Sequence, residues 1–166
     1  MTSINPSETQ NVSLSLYEEA FREALYQFSL PEEQLQFTGL PSMVLEETLQ
    51  DPSRYAVVIL ADGIPVGFFV LHTGGRLAEY TSNPRAILLT AFSVTEAHQG
   101  KGYAKKGLLA LPAFVAEHLP DKEEIILVVN ERNLPAKQLY EKTGFVDKGI
   151  RRMGPIGRQF MLHYSL

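Results

Sequence analysis

The residues of this chain best placed to do chemistry are Gln99, Gly100, Lys101, Gly102, Tyr103 and Ala104. They follow an apolar run over residues 86–94 and precede a helical repeat, so a glycine turn joins a strand to a helix. Such a junction binds anions. The first N–H groups of a helix have no partner inside it, and the positive end of its dipole faces the turn. Glycines at 100 and 102 let a diphosphate come close to the main chain. Two other phosphate loops are excluded. A Walker loop needs Gly-Lys followed by Ser or Thr, with a Gly five residues earlier; here Gly102 follows Lys101 and position 95 is Thr. The dinucleotide spacing G-x-G-x-x-G fails at Lys105.

A second stretch, residues 133–145, carries a phenol. Asn133-Leu134-Pro135 opens a short helix, with Asn133 the expected cap and Pro135 harmless in the first turn. Ala136, Leu139, Tyr140 and Thr143 share one face, and Gly144 is the expected stop. Tyr140 can hydrogen-bond a leaving group, or it can be an aromatic of the core. No metal site is expected. The chain has no cysteine, which removes thiolate zinc sites, a cysteine nucleophile and disulfides, and His118 and His163 lack ligand spacing.

The elements that must hold these stretches follow from periodicity. Residues 12–16 alternate as a strand, and residues 17–28 repeat as a helix ended by Pro31. A second helix is expected over 43–50 with Ser42 as cap. Asp62-Gly63 between two apolar runs signals a hairpin, with Gly67 a bulge or close approach. Residues 73–85 read as loop with a short strand near 77–80. Residues 86–94 and 125–129 are apolar enough to be covered on both faces. Between them Ala104, Leu108, Leu111 and Val115 form a helical stripe interrupted by Pro112, where a kink is expected. Two strands, near 145–152 and 159–164, finish the chain. The order predicts one α/β domain over residues 1–166, with a mixed sheet and a parallel strand–helix–strand unit.

Charge and composition exclude other classes. The 166 residues carry a net charge of -4, which argues against nucleic acid as a partner. No apolar run approaches the roughly 20 residues of a membrane helix. Residues 1–10 lack the form of a signal peptide, so a soluble, cytoplasmic protein is expected. Residues 1–53 hold nine acids and one base. That acidic front is either a solvated helix face or a wall for a cationic substrate.

The Gln99-x-x-Gly102-x-Ala104 turn resembles the acetyl-CoA pyrophosphate loop of the GNAT superfamily of N-acetyltransferases. Residues 133–145 resemble that family's Asn-x-x-Ala-x-x-x-Tyr-x-x-x-Gly-Phe segment. The resemblance implies a GNAT fold: a mostly antiparallel sheet whose central parallel strands splay apart, in the order β-α-α-β-β-β-α-β-α-β-β. It implies acetyl-CoA as co-substrate. Phe92 and Val94 would offer main-chain groups to its acyl arm. Gln99, Gly100, Lys101, Gly102, Tyr103 and Ala104 would hold the pyrophosphate, and Asn133 would hold the pantetheine or position Tyr140. Tyr140 would serve the departing thiolate as general acid, and Val94 is the candidate N–H donor to the oxyanion. Histone-type members carry a basic Glu at the position of Ala86, so that base is absent here, leaving His72, Glu79 and Tyr80 as candidates. The expected activity is acetyl transfer by direct attack to a primary amine of a small molecule or peptide, and the acidic front points to a cationic acceptor. The alternative is a catalytically silent acyl-CoA-binding regulatory module. The last strands are candidates for pairing in a homodimer.

Overall fold

Alternating apolar residues build a seven-stranded sheet, and the computed structural model describes residues 11–166 of it. Residues 1–10, read above for a signal peptide, lie outside the described residues. The strands are β1 (Val12–Leu16), β2 (Arg54–Ala61), β3 (Ile64–His72), β4 (Ala86–Val94), β5 (Glu124–Asn130), β6 (Val146–Gly154) and β7 (Gly157–Ser165). The helices are α1 (Arg22–Tyr26), α2 (Glu32–Leu35), α3 (Pro41–Gln50), α4 (Gly75–Ala78), α5 (Tyr103–His118) and α6 (Leu134–Lys142). Spatial order is β1-β2-β3-β4-β5-β7-β6, and only β4 and β5 pair in parallel. This is the mixed α/β architecture the sequence predicts.

The β2–β3 hairpin closes on Asp62 (φ 50) and Gly63 (φ 81), two left-handed residues that match the twist of the strands. Gly67 is a close approach: a Cβ there would lie 2.7 Å from Ile59 Cδ1 and 3.0 Å from the Ser93 carbonyl.

Several local expectations are corrected. Residues 17–28 are a 3-10 turn (Glu19–Phe21) followed by the short α1, and α2 was not anticipated. Helix α3 starts at Pro41 with Leu40 at its N-cap, so Ser42 lies inside it rather than capping it. Proline suits that first position because the N–H it lacks has no partner there. Residues 75–78 form a helix instead of the strand proposed near 77–80, with Leu77 turned into the core.

Side chains alternate between two faces of the sheet. One face, including Val57, Ile59, Phe69, Leu71, Ile87 and Leu89, packs against Leu108, Leu111 and Val115 of α5 and Tyr140 of α6. The other, including Ala56, Val58, Phe68 and Val70, packs against Leu25 and Phe28 near α1 and Leu45 of α3. A satellite cluster joins Leu77 to Ala86, Leu88 and Ile126 on that second face.

The parallel pairing is short. Ala86, Ile87 and Leu88 meet Glu124, Ile125 and Ile126, and beyond Leu88 the two strands diverge into a fork. A β-bulge lies at that point. Against β3, Thr90 faces Val70 and Ser93 faces Phe68, so Ala91 and Phe92 together oppose Phe69. Ala91 takes a left-handed φ of 55°. A bulge bends its strand and raises the local twist, which turns the end of β4 away from β5. It also resets the alternation, sending Phe92 to the α5–α6 face, where it stacks on Phe69 at 5.7 Å.

Candidate active site

The fork exposes main-chain groups that a continuous sheet would consume. Val94 faces Gly67 on β3, while the next residue, Thr95, donates its N–H to the Val66 carbonyl at 3.0 Å. Because successive residues of a strand direct their polar groups to opposite edges, Val94 turns its own N–H and C=O toward the fork.

Beyond Val94 a 3-10 turn (Glu96–His98) leads into the glycine turn. Gly100 (φ 79) and Gly102 (φ 80) are left-handed, and no atom lies within 4 Å of a Cβ built on either. Among the described residues no backbone carbonyl takes the N–H of Gly100, Lys101, Gly102 or Ala104. The side chains of Lys101 and Lys105 are exposed beside them. Tyr103 turns its ring inward, 6.3 Å from that of His98, so only its main chain belongs to the turn. Gln99 braces the structure. Its amide nitrogen donates to the Val94 carbonyl at 2.8 Å and to Gln34 Oε1 at 2.9 Å, tying α2 and the end of β4 to the turn.

Tyr140 stands at the fork from α6. It is 8% exposed, with its ring edge-on to Phe92 at 6.1 Å and to Phe145 at 5.8 Å. No hydrogen-bond partner for its hydroxyl is found among the described residues. Burial pushes its pKa above the ordinary 10, so the phenol keeps its proton at neutral pH. The helix holding it ends as the sequence predicts. Gly144 (φ 108) follows the last turn, Phe145 N–H donates to the Tyr140 carbonyl at 3.0 Å, and Gly144 N–H donates to Glu141 at 3.2 Å. Lys137 of α6 reaches Asp147 at 3.5 Å, and Arg151 grips the same carboxylate at 2.8 and 3.0 Å, holding it down to about pKa 2.

Asn133 occupies the N-cap position of α6, but its side chain does not cap, which corrects that expectation. Its N–H donates to the Asn130 carbonyl at 2.8 Å. Asn130, missed from sequence, fixes this loop: its Oδ1 accepts the Arg132 N–H at 2.9 Å and its Nδ2 donates to the Ile156 carbonyl at 3.3 Å. An asparagine ending an apolar strand was the available signal.

The second face of the fork presents side chains from separate segments. His72 is 3% exposed, and its Nε2 lies 2.7 Å from Thr90 Oγ1. Burial, then the charges of Arg54 and Arg76, lower its pKa to about 4. Ser93 is buried with no partner for its hydroxyl among the described residues. Tyr80 lies under the Arg152 guanidinium at 3.9 Å, Glu79 is exposed, and Ala86 is fully buried. Arg132 sits 6.0 Å from the Phe37 ring, joining the segment after α2 to the β5–α6 loop. The acidic front is partly answered: Arg22 pairs with Glu19 and Glu46, and Arg54 with Asp51 at 3.2 Å. Glu32 and Glu33 remain exposed on α2. Among the described residues, no group of three or more His, Asp or Glu side chains is arranged to hold a metal ion, and no helix is long and apolar enough to cross a membrane.

A family model described as "Acetyltransferase (GNAT) family" matches residues 14–145. An uncharacterized N-acetyltransferase of Bacillus subtilis, YbbJ, is 51% identical over 159 residues, covering 95% of this chain and 99% of its own. The spermine/spermidine N(1)-acetyltransferase of the same organism is 30% identical over 128 residues, covering 77% of this chain and 83% of its own. A solved structure of aminoglycoside acetyltransferase AAC(6')-Ib with coenzyme A and kanamycin superposes with a TM-score of 0.72 at 21% identity, covering 93% of this chain and 95% of its own. At that identity the likeness concerns the fold.

Proposed function

The chain belongs to the acetyltransferase (GNAT) family and is an N-acetyltransferase, and on that premise we propose that it moves an acetyl group from acetyl-CoA to a primary amine by direct attack, with Tyr140 serving the departing thiolate. One observation carries this reading. Main-chain groups of Val94 turn into the fork beyond Leu88, and the buried Tyr140 ring borders that end of β4 through its edge-on contact with Phe92.

The residues present fit the donor. At the glycine turn, Gly100 and Gly102 put no side chain in the way, and amides without carbonyl partners meet the positive end of α5. We assign Gln99, Gly100, Lys101, Gly102, Tyr103 and Ala104 to the pyrophosphate, with Gln99 acting as the brace. Phe92, Val94 and Asn133 are assigned to the pantetheine and acyl arm. The Val94 N–H stabilises the oxyanion that forms when the amine attacks the thioester carbonyl. Tyr140 donates a hydrogen bond to the sulfur as negative charge develops there. Full proton transfer is uphill, because a free thiol has a pKa of about 8.5 and this phenol lies above 10.

The acceptor is proposed to be a cationic amine. The spermine/spermidine relative and the exposed Glu32 and Glu33 beside the brace support this. Purified protein is to be tested with acetyl-CoA and a panel of polyamines, aminoglycosides, lysine-like amines, and neutral and anionic amines, reading free thiol. Turnover concentrated on the cationic members is expected. No turnover on any member, with coenzyme A still bound, would establish the silent acyl-CoA-binding module instead. Pairing of two copies through β6 is also proposed, supported by its place at the sheet edge and the exposed Val146, Ile150 and Met153. Sedimentation that returns a monomer mass at working concentration would refute it.

A further inference from the structure

The amine that attacks must lose a proton, and Ala86 supplies nothing to take it. We propose that Thr90 and His72 are the proton-accepting pair: Thr90 Oγ1 receives the proton of the attacking amine while its own hydroxyl proton passes to His72 Nε2. The inference rests on the acetyl-transfer reading and assigns that reaction its missing base.

Position is the first argument. Thr90 lies two residues past Leu88, the last residue of β4 paired to β5, and one residue before the bulge at Ala91. It therefore stands where the fork opens. Its hydroxyl meets His72, which continues the row of Phe68 and Val70 on the face opposite Tyr140. The thiolate's hydrogen-bond donor and the amine's proton acceptor then approach the reacting carbon from opposite faces.

The second argument is cost. A buried imidazole opposite Leu88 and a half-buried hydroxyl opposite Val70 cost stability that an apolar pair would not. Their contact at 2.7 Å satisfies Nε2 and leaves Nδ1 without a partner among the described residues. Neither residue has another role visible in the sheet, whose ladder runs through the main chain.

The third argument is charge. Arg54 faces the ring from the start of β2, Asp51 from the end of α3, Arg76 from α4, and Thr90 from β4. Burial and the two arginines outweigh Asp51, so the ring is neutral at physiological pH and has a lone pair to offer. Glu79, by contrast, is exposed, and Tyr80 is stacked under Arg152.

The step balances. The C–N bond forms and the C–S bond breaks. The amine's proton goes to Thr90 and the hydroxyl proton of Thr90 to His72. The thiolate leaves under the Tyr140 hydrogen bond and takes a proton from solvent. His72, a weak base in this setting, returns its proton to solvent after the amide departs. Thr90 is the catalytic residue of the pair, and His72 positions it and stores the proton.

Steady-state kinetics of the wild type, Thr90→Val, Thr90→Ser and His72→Gln are to be measured from about pH 3.5 to about pH 9, a range that spans the His72 titration, with acetyl-CoA binding followed by calorimetry. Thr90→Val and His72→Gln should lower kcat by about tenfold or more at unchanged acetyl-CoA affinity. Thr90→Ser should stay within about threefold of the wild type. His72→Gln keeps a hydrogen bond but cannot take a proton, so it should lose the acidic limb of the kcat profile. Thr90→Val is nearly isosteric and keeps the test alive if the histidine variant folds poorly. Full kcat in Thr90→Val, or a loss carried by acetyl-CoA affinity alone, overturns the pair while leaving acetyl transfer standing. A wild type that turns over no amine overturns the acetyl-transfer reading and this inference with it.

Discussion

On the α5–α6 face of the fork the groups on offer are main-chain amides, two left-handed glycines and one buried phenol. On the opposite face they are side chains: His72 from β3, Thr90 and Ser93 from β4, and Tyr80 from the segment after α4. The first face recognises something constant, because a diphosphate and a thioester arm present the same acceptors in every reaction. Main-chain donors suit it, since no side-chain rotamer must be fixed. The second face must meet the variable partner, the amine, and side chains are the parts that can differ without disturbing the ladder.

The comparison can be broken most directly at the phenol. Tyr140→Phe is expected to lower kcat by about a hundredfold while acetyl-CoA affinity, measured by calorimetry, stays unchanged. A fall in affinity with kcat preserved would make Tyr140 a wall of the donor site rather than part of the chemistry. Next comes the turn. Gly102 has a φ of 80°, and Val in a left-handed conformation costs about 1–2 kcal/mol, so Gly102→Val should weaken coenzyme A binding by about tenfold with kcat at saturation near that of the wild type. If binding is unaffected, the turn does not hold the donor.

A smaller effect tests the support of α6. A Cβ on Gly144, at φ 108, would lie 2.8 Å from Tyr164 Cε2, and Gly144→Ala should destabilise the fold by about 1–3 kcal/mol, read from denaturant unfolding. On the opposite face, pH is the probe. His72 has a folded pKa of about 4 against an ordinary 6.5, so the unfolded chain binds the extra proton first. Stability is therefore full above about pH 6.5 and declines as pH falls toward about 4. His72→Gln should flatten that slope, and an unchanged slope would mean the ring is not held neutral by the fold. The smallest expected effect belongs to Asp147, a partly exposed carboxylate whose folded pKa of about 2 lies below its unfolded one. Its contribution is present above about pH 4 and lost as pH falls through about 2. Asp147→Asn should remove that last segment of the acid-unfolding curve.

The two faces also differed in how far they could be read in advance. Glycine at 100 and 102, the helical stripe behind them and Gly144 after residues 133–143 are local signals, and each sits where the spacing places it. The bulge at Ala91 gave no such signal, since alanine seldom takes a positive φ and the apolar run continues through it. Short helices α1 and α2 were misjudged because four or five residues carry too little periodicity to separate helix from turn. Asn133 was placed at its cap by composition, but a neighbouring strand end took its main chain and left the amide uncommitted.

Sequence by itself determined the order of the seven strands and of the longer helices α3, α5 and α6, the glycine turn and the family resemblance, because each depends on residues within a few positions of one another. Tertiary structure alone decided that three parallel pairs would form and then part, that Gln99 would brace Val94 and Gln34, and that His72 would reach Thr90. Those contacts join residues far apart in the chain or turn on one strand's register. A shift of a single residue at the bulge would send Phe92 to the other face and separate it from Tyr140.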